Sequence, residues 1–168
     1  MDLLVYAKTM AAYNLWMNDR MYEACAGLAD DVRKRDLGAF FKSIHGTLNH
    51  ILLADRVWMG RFTGVPFQVR SLDQELYADY AELRAERRRT DDAIAAWADG
   101  LRSEQLGGEL AYTSIARPQP RRMPYWLAAV HFFNHQTHHR GQVTTLMKQS
   151  GVDPGVTDLM AMPGLAGS

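Results

Sequence analysis

The chain has 168 residues, enough for one domain that buries well over half of the surface exposed by its unfolded form. Its 19 basic and 19 acidic side chains balance, so there is no net positive charge to attract a nucleic acid. The single cysteine, Cys25, excludes an intramolecular disulfide and is typical of a reducing compartment. The N-terminus lacks a signal-peptide pattern, and no stretch of about 20 apolar residues occurs. We therefore expect one cytoplasmic domain over residues 1–168 that binds neither a nucleic acid nor a membrane.

Four long segments have the apolar spacing of amphipathic helices, which predicts an all-α fold, a four-helix bundle. The first predicted helix runs from about Leu3 to Ala26. The second follows the charged turn Asp30–Asp36, has an apolar stripe that begins at Phe40, and ends near Phe62.

The third predicted helix begins at Ser71, a good N-cap residue, with Gln74 as its partner in a capping box. It continues to about Ala98. The basic run at residues 84–89 includes Glu86, and this mixture of charges indicates a solvated helix face rather than a basic patch.

The helical spacing fails between Leu106 and Pro124, where glycine and proline residues interrupt the pattern. Glu109–Ala116 is strand-like, which predicts a small hairpin or an irregular crossover before the last helix. The fourth helix is predicted from about Pro124 to Ser150. Asp153–Ser168 is expected to form a tail packed over one end of the bundle.

All six histidines lie in two short stretches, one in the second predicted helix and one in the fourth. They are His45 and His50, and His131, His135, His138 and His139. His135 and His139 stand four residues apart on the apolar stripe of the fourth helix, so both imidazoles point to the bundle interior. An unpaired buried imidazole costs about 1–3 kcal/mol. Because neutral imidazole is the commonest metal ligand, two such residues and a third donor on another helix favour a metal site over a polar core.

Spacing alone does not select the ligands. His131 and His135 are also four residues apart and lie on nearly the same face, so they form a rival pair. His45 and His50 flank the apolar stripe of the second helix on opposite sides. Periodicity therefore leaves the third ligand open.

The residue types around the histidines narrow the chemistry. The segment from His135 to His139 has the spacing of the zinc-protease motif H-E-x-x-H, but Gln136 stands where the glutamate base is required. An amide cannot accept that proton, so peptide hydrolysis by that mechanism is disfavoured. The sequence also contains no Glu-x-x-His, which argues against the carboxylate-bridged di-metal site of ferritin-like bundles. The pattern that remains is a mononuclear, all-histidine site, which would acidify a bound water or thiol.

Three segments of the chain resemble the DinB family of damage-inducible bacterial proteins. They are Y-N-L-W-M-N from Tyr13 to Asn18, L-N-H-I-L-L-A-D-R-V-W from Leu48 to Trp58, and F-N-H-Q-T-H-H-R-G-Q from Phe133 to Gln142. The segment G-V-D-P-G-V-T-D-L near the C-terminus extends the resemblance over essentially the whole chain. The resemblance implies a four-helix bundle, often a homodimer, with one divalent ion held by three histidines.

Carried over by position, the metal ligands of the family fall on His50, His135 and His139. The other histidines then become non-ligands that could fix the tautomer of a ligand. They are His45, His131 and His138. We expect Zn or Ni at this site ahead of Fe or Mn.

The resemblance further implies a metal-dependent enzyme of the thiol-transferase type, because relatives in the wider superfamily use low-molecular-weight thiols as cosubstrates. A thiol-independent metal hydrolase and a non-enzymatic structural or stress-response metalloprotein are the alternatives. No general base can be assigned. Arg140 could orient a carboxylate, but an ion pair on the helix surface is the favoured interpretation. Tyr13, Trp16 and Trp58 could line a pocket, but aromatic residues at helical spacing are expected in the core.

Overall fold

The computed structural model describes residues 2–115 and 119–165. In chain order its helices are α1 (Leu3–Ala26), α2 (Asp30–Lys34), α3 (Ile44–Thr63), α4 (Tyr80–Gly100), α5 (Ser103–Leu106) and α6 (Tyr125–Gln149). The four long helices form the predicted bundle, in which α1 packs against α4 and α6, and α3 packs against the same two helices. None of the helices in these two ranges is long and apolar enough to cross a membrane.

Side chains at the N-cap positions fix where three of the long helices begin. Asp2, Ser43 and Asp79 each accept hydrogen bonds from backbone N–H groups in the first turn of α1, α3 and α4. At its other end α3 stops at Gly64, whose φ of 75° is the left-handed conformation that ends a helix.

The second predicted helix begins later than its apolar stripe indicated. The charged turn contains the short helix α2, and α3 begins only at Ile44. Lys42 has a left-handed φ of 66°, which no continuing helix accommodates, and it closes a tight turn on Ala39. Phe40 lies in that turn and is 84% exposed, so its assignment to the apolar stripe is wrong.

The predicted start of the third helix at Ser71 is also wrong, because α4 begins at Tyr80. Gln74 does reach back along the chain as a capping residue would. Its side-chain oxygen accepts a hydrogen bond from the backbone N–H of Arg70 at 2.9 Å, inside the irregular connection that precedes α4.

The connection between α3 and α4 is held in its irregular conformation by a buried side chain of α3. The oxygen of Asn49 accepts hydrogen bonds from the backbone N–H groups of Leu76 and Tyr77, at 2.9 and 3.0 Å. Its amide nitrogen donates to the carbonyl of Tyr77 at 3.1 Å. These contacts provide hydrogen-bond partners for backbone groups that a helix would otherwise pair. Tertiary structure thus overrides the local capping pattern of Ser71 and Gln74.

The predicted hairpin is present between α5 and α6. Its strands, β1 (Glu109–Thr113) and β2 (Pro120–Pro124), pair antiparallel with Glu109 opposite Pro124. Ala116, where the predicted strand-like segment ends, lies outside the described residues.

The C-terminal tail packs against the first helix. Tyr13 of α1 donates a hydrogen bond to the carbonyl of Thr157 at 2.5 Å. A short 3₁₀ helix, Leu159–Ala161, follows, and Met162 is buried in the core beside α1. The last three residues of the predicted tail lie outside the described part of the chain.

A charged group lies inside the bundle, in contact with all of its long helices. Arg87 is only 2% exposed, donates to Asp55 at 2.6 Å and forms an ion pair with Asp91 at 2.8 Å. Asn14 and Asn18 donate to the same Asp91 carboxylate. The solvated-face interpretation of residues 84–89 is therefore wrong for Arg87, which occupies the inward position of that run.

Arg140 is also buried, so the prediction of a surface ion pair is wrong. It is 3% exposed and donates to the side-chain oxygens of Asn14 and Thr137. Asn14 belongs to α1 and Thr137 to α6, so neutral oxygens from two helices accept from the terminal nitrogens of the guanidinium.

Candidate metal centre

Three imidazoles meet where α3 faces α6. His50 comes from α3, and His135 and His139 come from adjacent turns of α6. One nitrogen of each ring lies within 4.8 Å of one nitrogen of the other two. Nitrogens that share one ion lie at most about 4 Å apart, so small rotations of the rings would bring all three onto a single ion.

Hydrogen bonds orient two of these imidazoles. His50 Nδ1 lies 2.9 Å from the carbonyl oxygen of Leu72, and His139 Nδ1 lies 2.8 Å from the side-chain oxygen of Gln142. Both partners are acceptors, so each Nδ1 carries the proton and donates. Nε2 is then the unprotonated nitrogen in both rings, with its lone pair free for a metal.

Burial keeps these histidines neutral. Loss of solvent lowers the pKa of His50 to about 4. The pKa of His135 falls to about 3, chiefly through burial and then through the neighbouring histidines. Burial also lowers the pKa of His139. At neutral pH all three residues therefore offer lone pairs rather than N–H⁺ groups.

The remaining histidines do not join this group. His45 contacts the backbone carbonyl of Tyr77 at 2.9 Å and so holds the connection before α4. His131 is exposed and packs on Trp58, with ring centroids 5.1 Å apart. His138 is exposed and lies 3.3 Å from the amide nitrogen of Gln142. Of the two pairs that spacing left open, the structure brings His135 and His139 together with His50.

Phe41 covers one side of the group. Its ring stacks on His50, with centroids 3.8 Å apart and an interplanar angle of 16°, and its edge contacts His139. The turn before α3 places Phe41 there, and Gly46 permits it, because a β-carbon at that position would clash with the carbonyl oxygen of Phe41. Phe41 was not among the predicted site residues, and Gly46 is a local signal for its position.

Gln136 stands at the position of the protease glutamate, next to His135 in the sequence. It is completely buried and lies beside Asp55 in the charged interior of the bundle.

A cleft of about 250 Å³ opens beside His50 and His135. Trp58, Arg61 and Tyr112 also line it. Trp58 is buried, as expected of a core residue, yet it also lines this cleft. Tyr13 is buried and belongs to a different cleft, beside Arg140.

The donor set fits one divalent transition metal with open coordination positions. No cysteine, aspartate or glutamate joins the three histidines anywhere in residues 2–115 and 119–165. Closed structural zinc sites use four protein ligands, whereas three ligands and an open position are typical of catalytic sites.

Comparisons with known proteins show the family and the fold of the chain. The model of the DinB family matches residues 3–166. Protein DinB of Bacillus subtilis (strain 168) is 24% identical over 160 residues, which cover 91% of each chain. The crystal structure of a DinB-like protein from Bacillus cereus ATCC 10987 shares the fold, with a TM-score of 0.62 and 22% identity over 83% of this chain and 90% of that one. Because the family model spans nearly every residue, the chain belongs to the DinB family.

Proposed function

We propose that the chain is a metal-dependent enzyme of the thiol-transferase type, with His50, His135 and His139 as the ligands of one divalent ion. The observation that carries the proposal is the open set of three histidines, two of them oriented by hydrogen bonds with Nε2 free. Zn or Ni is the expected ion. The homodimer and the cytoplasmic location stay predictions.

A divalent ion held by three neutral imidazoles keeps its full charge and would lower the pKa of a coordinated thiol, which makes the sulfur a nucleophile at neutral pH. The residues of the chain orient the ligands, shield the site and leave space for a small molecule. Leu72 and Gln142 hold the imidazoles in the binding tautomer. Phe41 stacks on His50, and the cleft that His50 and His135 line has room for a small molecule.

Cobalt substitution tests the proposal, because a thiolate bound to Co(II) gives a charge-transfer absorption band. The protein without a histidine tag is loaded with Co(II) and titrated with 3-mercapto-1-propanol. We expect the band in the wild type and in His131→Ala, which changes an exposed histidine beside the site. His50→Ala and His139→Ala should not give it. Cobalt binding without the band would contradict the thiol chemistry and favour a metal hydrolase.

A second readout separates an enzyme from a structural metalloprotein. If the site is catalytic, His139→Ala loses thiol binding and retains most of its thermal stability. If the ion serves only to join α3 and α6, the same change lowers the melting temperature of the metal-loaded protein sharply and no thiol binds in the wild type.

A further inference from the structure

Arg61 lines the cleft beside the histidines and lies against two aromatic rings. It lies in the last turn of α3, and its guanidinium stands 4.3 Å from the centroids of both the Trp58 and the Tyr112 rings. His50 and His135 line the same cleft. The two rings therefore fix a positive charge in the space beside the three histidines.

Within residues 2–115 and 119–165 this guanidinium has no protein oxygen as a hydrogen-bond acceptor, and it contacts only the faces of the two rings. The other buried or half-buried arginines all have oxygen partners. These are Arg33 with Leu28, Arg56 with Glu86, Arg87 with Asp55 and Arg140 with Asn14. The N–H donors of Arg61 are thus held in place and available for an acceptor from outside the protein.

The surroundings of Arg61 favour an anion. A second cleft of about 340 Å³ adjoins the first and shares Arg61 and Tyr112. Neither cleft has an aspartate or glutamate among its described lining residues. An arriving anion would meet one positive charge and no competing carboxylate.

We propose that Arg61 binds a carboxylate of the thiol substrate, so that the site takes small carboxylate-bearing thiols. This inference rests on the proposed function. A guanidinium presents paired N–H donors that match the two oxygens of a carboxylate. One small molecule in the cleft can place its sulfur at the histidines and its carboxylate at Arg61. Arg61 is thereby a specificity-determining residue.

Two thiols that differ only at the far end test the proposal in the cobalt-loaded protein. The probes are 3-mercaptopropionate and the neutral 3-mercapto-1-propanol, and the readout is the dissociation constant from the charge-transfer band. We expect the carboxylate thiol to bind at least about tenfold more tightly in the wild type, as for a hydrogen bond to a charged group. In Arg61→Gln the preference should disappear while the affinity for the neutral thiol is retained.

Arg88→Gln is the matched control, because Arg88 is an exposed arginine of α4 that pairs with Asp19 and Asp92. It should keep the wild-type preference. If Arg61→Gln does not fold, Arg61→Lys keeps the aliphatic stem and the charge but not the paired donors, and it should show a reduced preference.

Equal affinities of the two thiols in the wild type, or an unchanged preference in both Arg61 variants, would overturn the role of Arg61 and leave the thiol chemistry intact. If neither thiol gives a band although cobalt is bound, the proposed function fails and the inference about Arg61 fails with it.

Discussion

The ring of Phe41 lies almost parallel to the imidazole of His50, at a centroid distance of 3.8 Å. Phe41 precedes α3 and is only partly buried, whereas the neighbouring Phe40 points into solvent and is 84% exposed. Two consecutive phenylalanines thus have opposite environments. The first of them is a surface residue, and the second is the cover of the three-histidine site.

Replacing Phe41 should therefore open the site to solvent. In Phe41→Ala we expect about one ion per chain to remain bound, because no ligand is removed, but extraction of the ion by a chelator should become several-fold faster. Stopped-flow mixing of the zinc-loaded protein with a chelator and a zinc indicator measures the rate. Phe40→Ala is the control and should release its ion at the wild-type rate. Equal rates in the two variants would show that Phe41 is not a cover.

Gln142 should strengthen metal binding by His139, because its side-chain oxygen accepts a hydrogen bond from Nδ1 of that imidazole at 2.8 Å. In Gln142→Leu the imidazole loses the partner that fixes its tautomer, and metal affinity should fall about 10- to 100-fold. Competition with a chelator of known affinity measures the change. Gln149→Leu, an exposed position at the end of the same helix, should bind the ion as the wild type does. An unchanged affinity in Gln142→Leu would mean that the hydrogen bond does not support the ligand.

The buried pair of Arg87 and Asp55 should matter for folding far more than the exposed ion pairs. Arg87→Met leaves two buried carboxylates without their cation, and we expect the free energy of unfolding to fall by about 3–5 kcal/mol. Arg88→Gln breaks exposed pairs on the same helix and should cost less than about 1 kcal/mol. Urea denaturation measures both values. A cost near zero for Arg87→Met would contradict the structural role of the charged interior.

The metal-free protein should lose stability as the pH falls below neutrality. The pKa of His135 is about 3 in the folded chain, against an ordinary value of 6.5. Between these values the unfolded chain binds a proton that the folded chain does not bind, so the free energy of unfolding decreases as the pH is lowered through this range. The stability that the neutral, buried His135 contributes is therefore fully present above pH 6.5, and it is lost as the pH falls from 6.5 toward 3.

The variant His135→Asn lacks the imidazole, so it lacks this contribution to the pH dependence of unfolding. Its free energy of unfolding should depend on pH less steeply than that of the wild type between pH 6 and pH 4, by up to about 1.4 kcal/mol per pH unit. Burial raises the pKa of Asp91 to about 6, which acts in the opposite direction in both proteins and cancels in the difference. Urea denaturation of both metal-free proteins at several pH values gives the comparison. Parallel pH profiles would contradict a buried, neutral His135.

The long helices and the hairpin could be predicted from apolar spacing and from glycine and proline positions, because these features act locally. The grouping of His50, His135 and His139 followed from the family resemblance, while spacing alone left His131 as a rival. In the structure His131 is exposed on α6, one turn before His135, and it does not join the group of three ligand nitrogens.

Features fixed by distant contacts could not be predicted. Asn49 and its hydrogen bonds to the backbone prevent a helix where the Ser71 capping pattern indicated one. Arg87 and Arg140 were placed at the surface because a charged residue is usually exposed, and only the packed bundle supplies the oxygens that make their burial favourable. Arg61 gave no signal in the sequence, since its role depends on rings from two separate elements.

Elemental analysis of the protein purified without a histidine tag tests the metal site most directly. Wild type and His131→Ala should each contain about one divalent ion per chain, and His50→Ala and His135→Ala should contain none after the same treatment. If the wild type retains no ion and takes up neither added Zn nor added Ni, or if the ion persists in both ligand variants, the three histidines are not a metal centre and the enzymatic proposal fails with them.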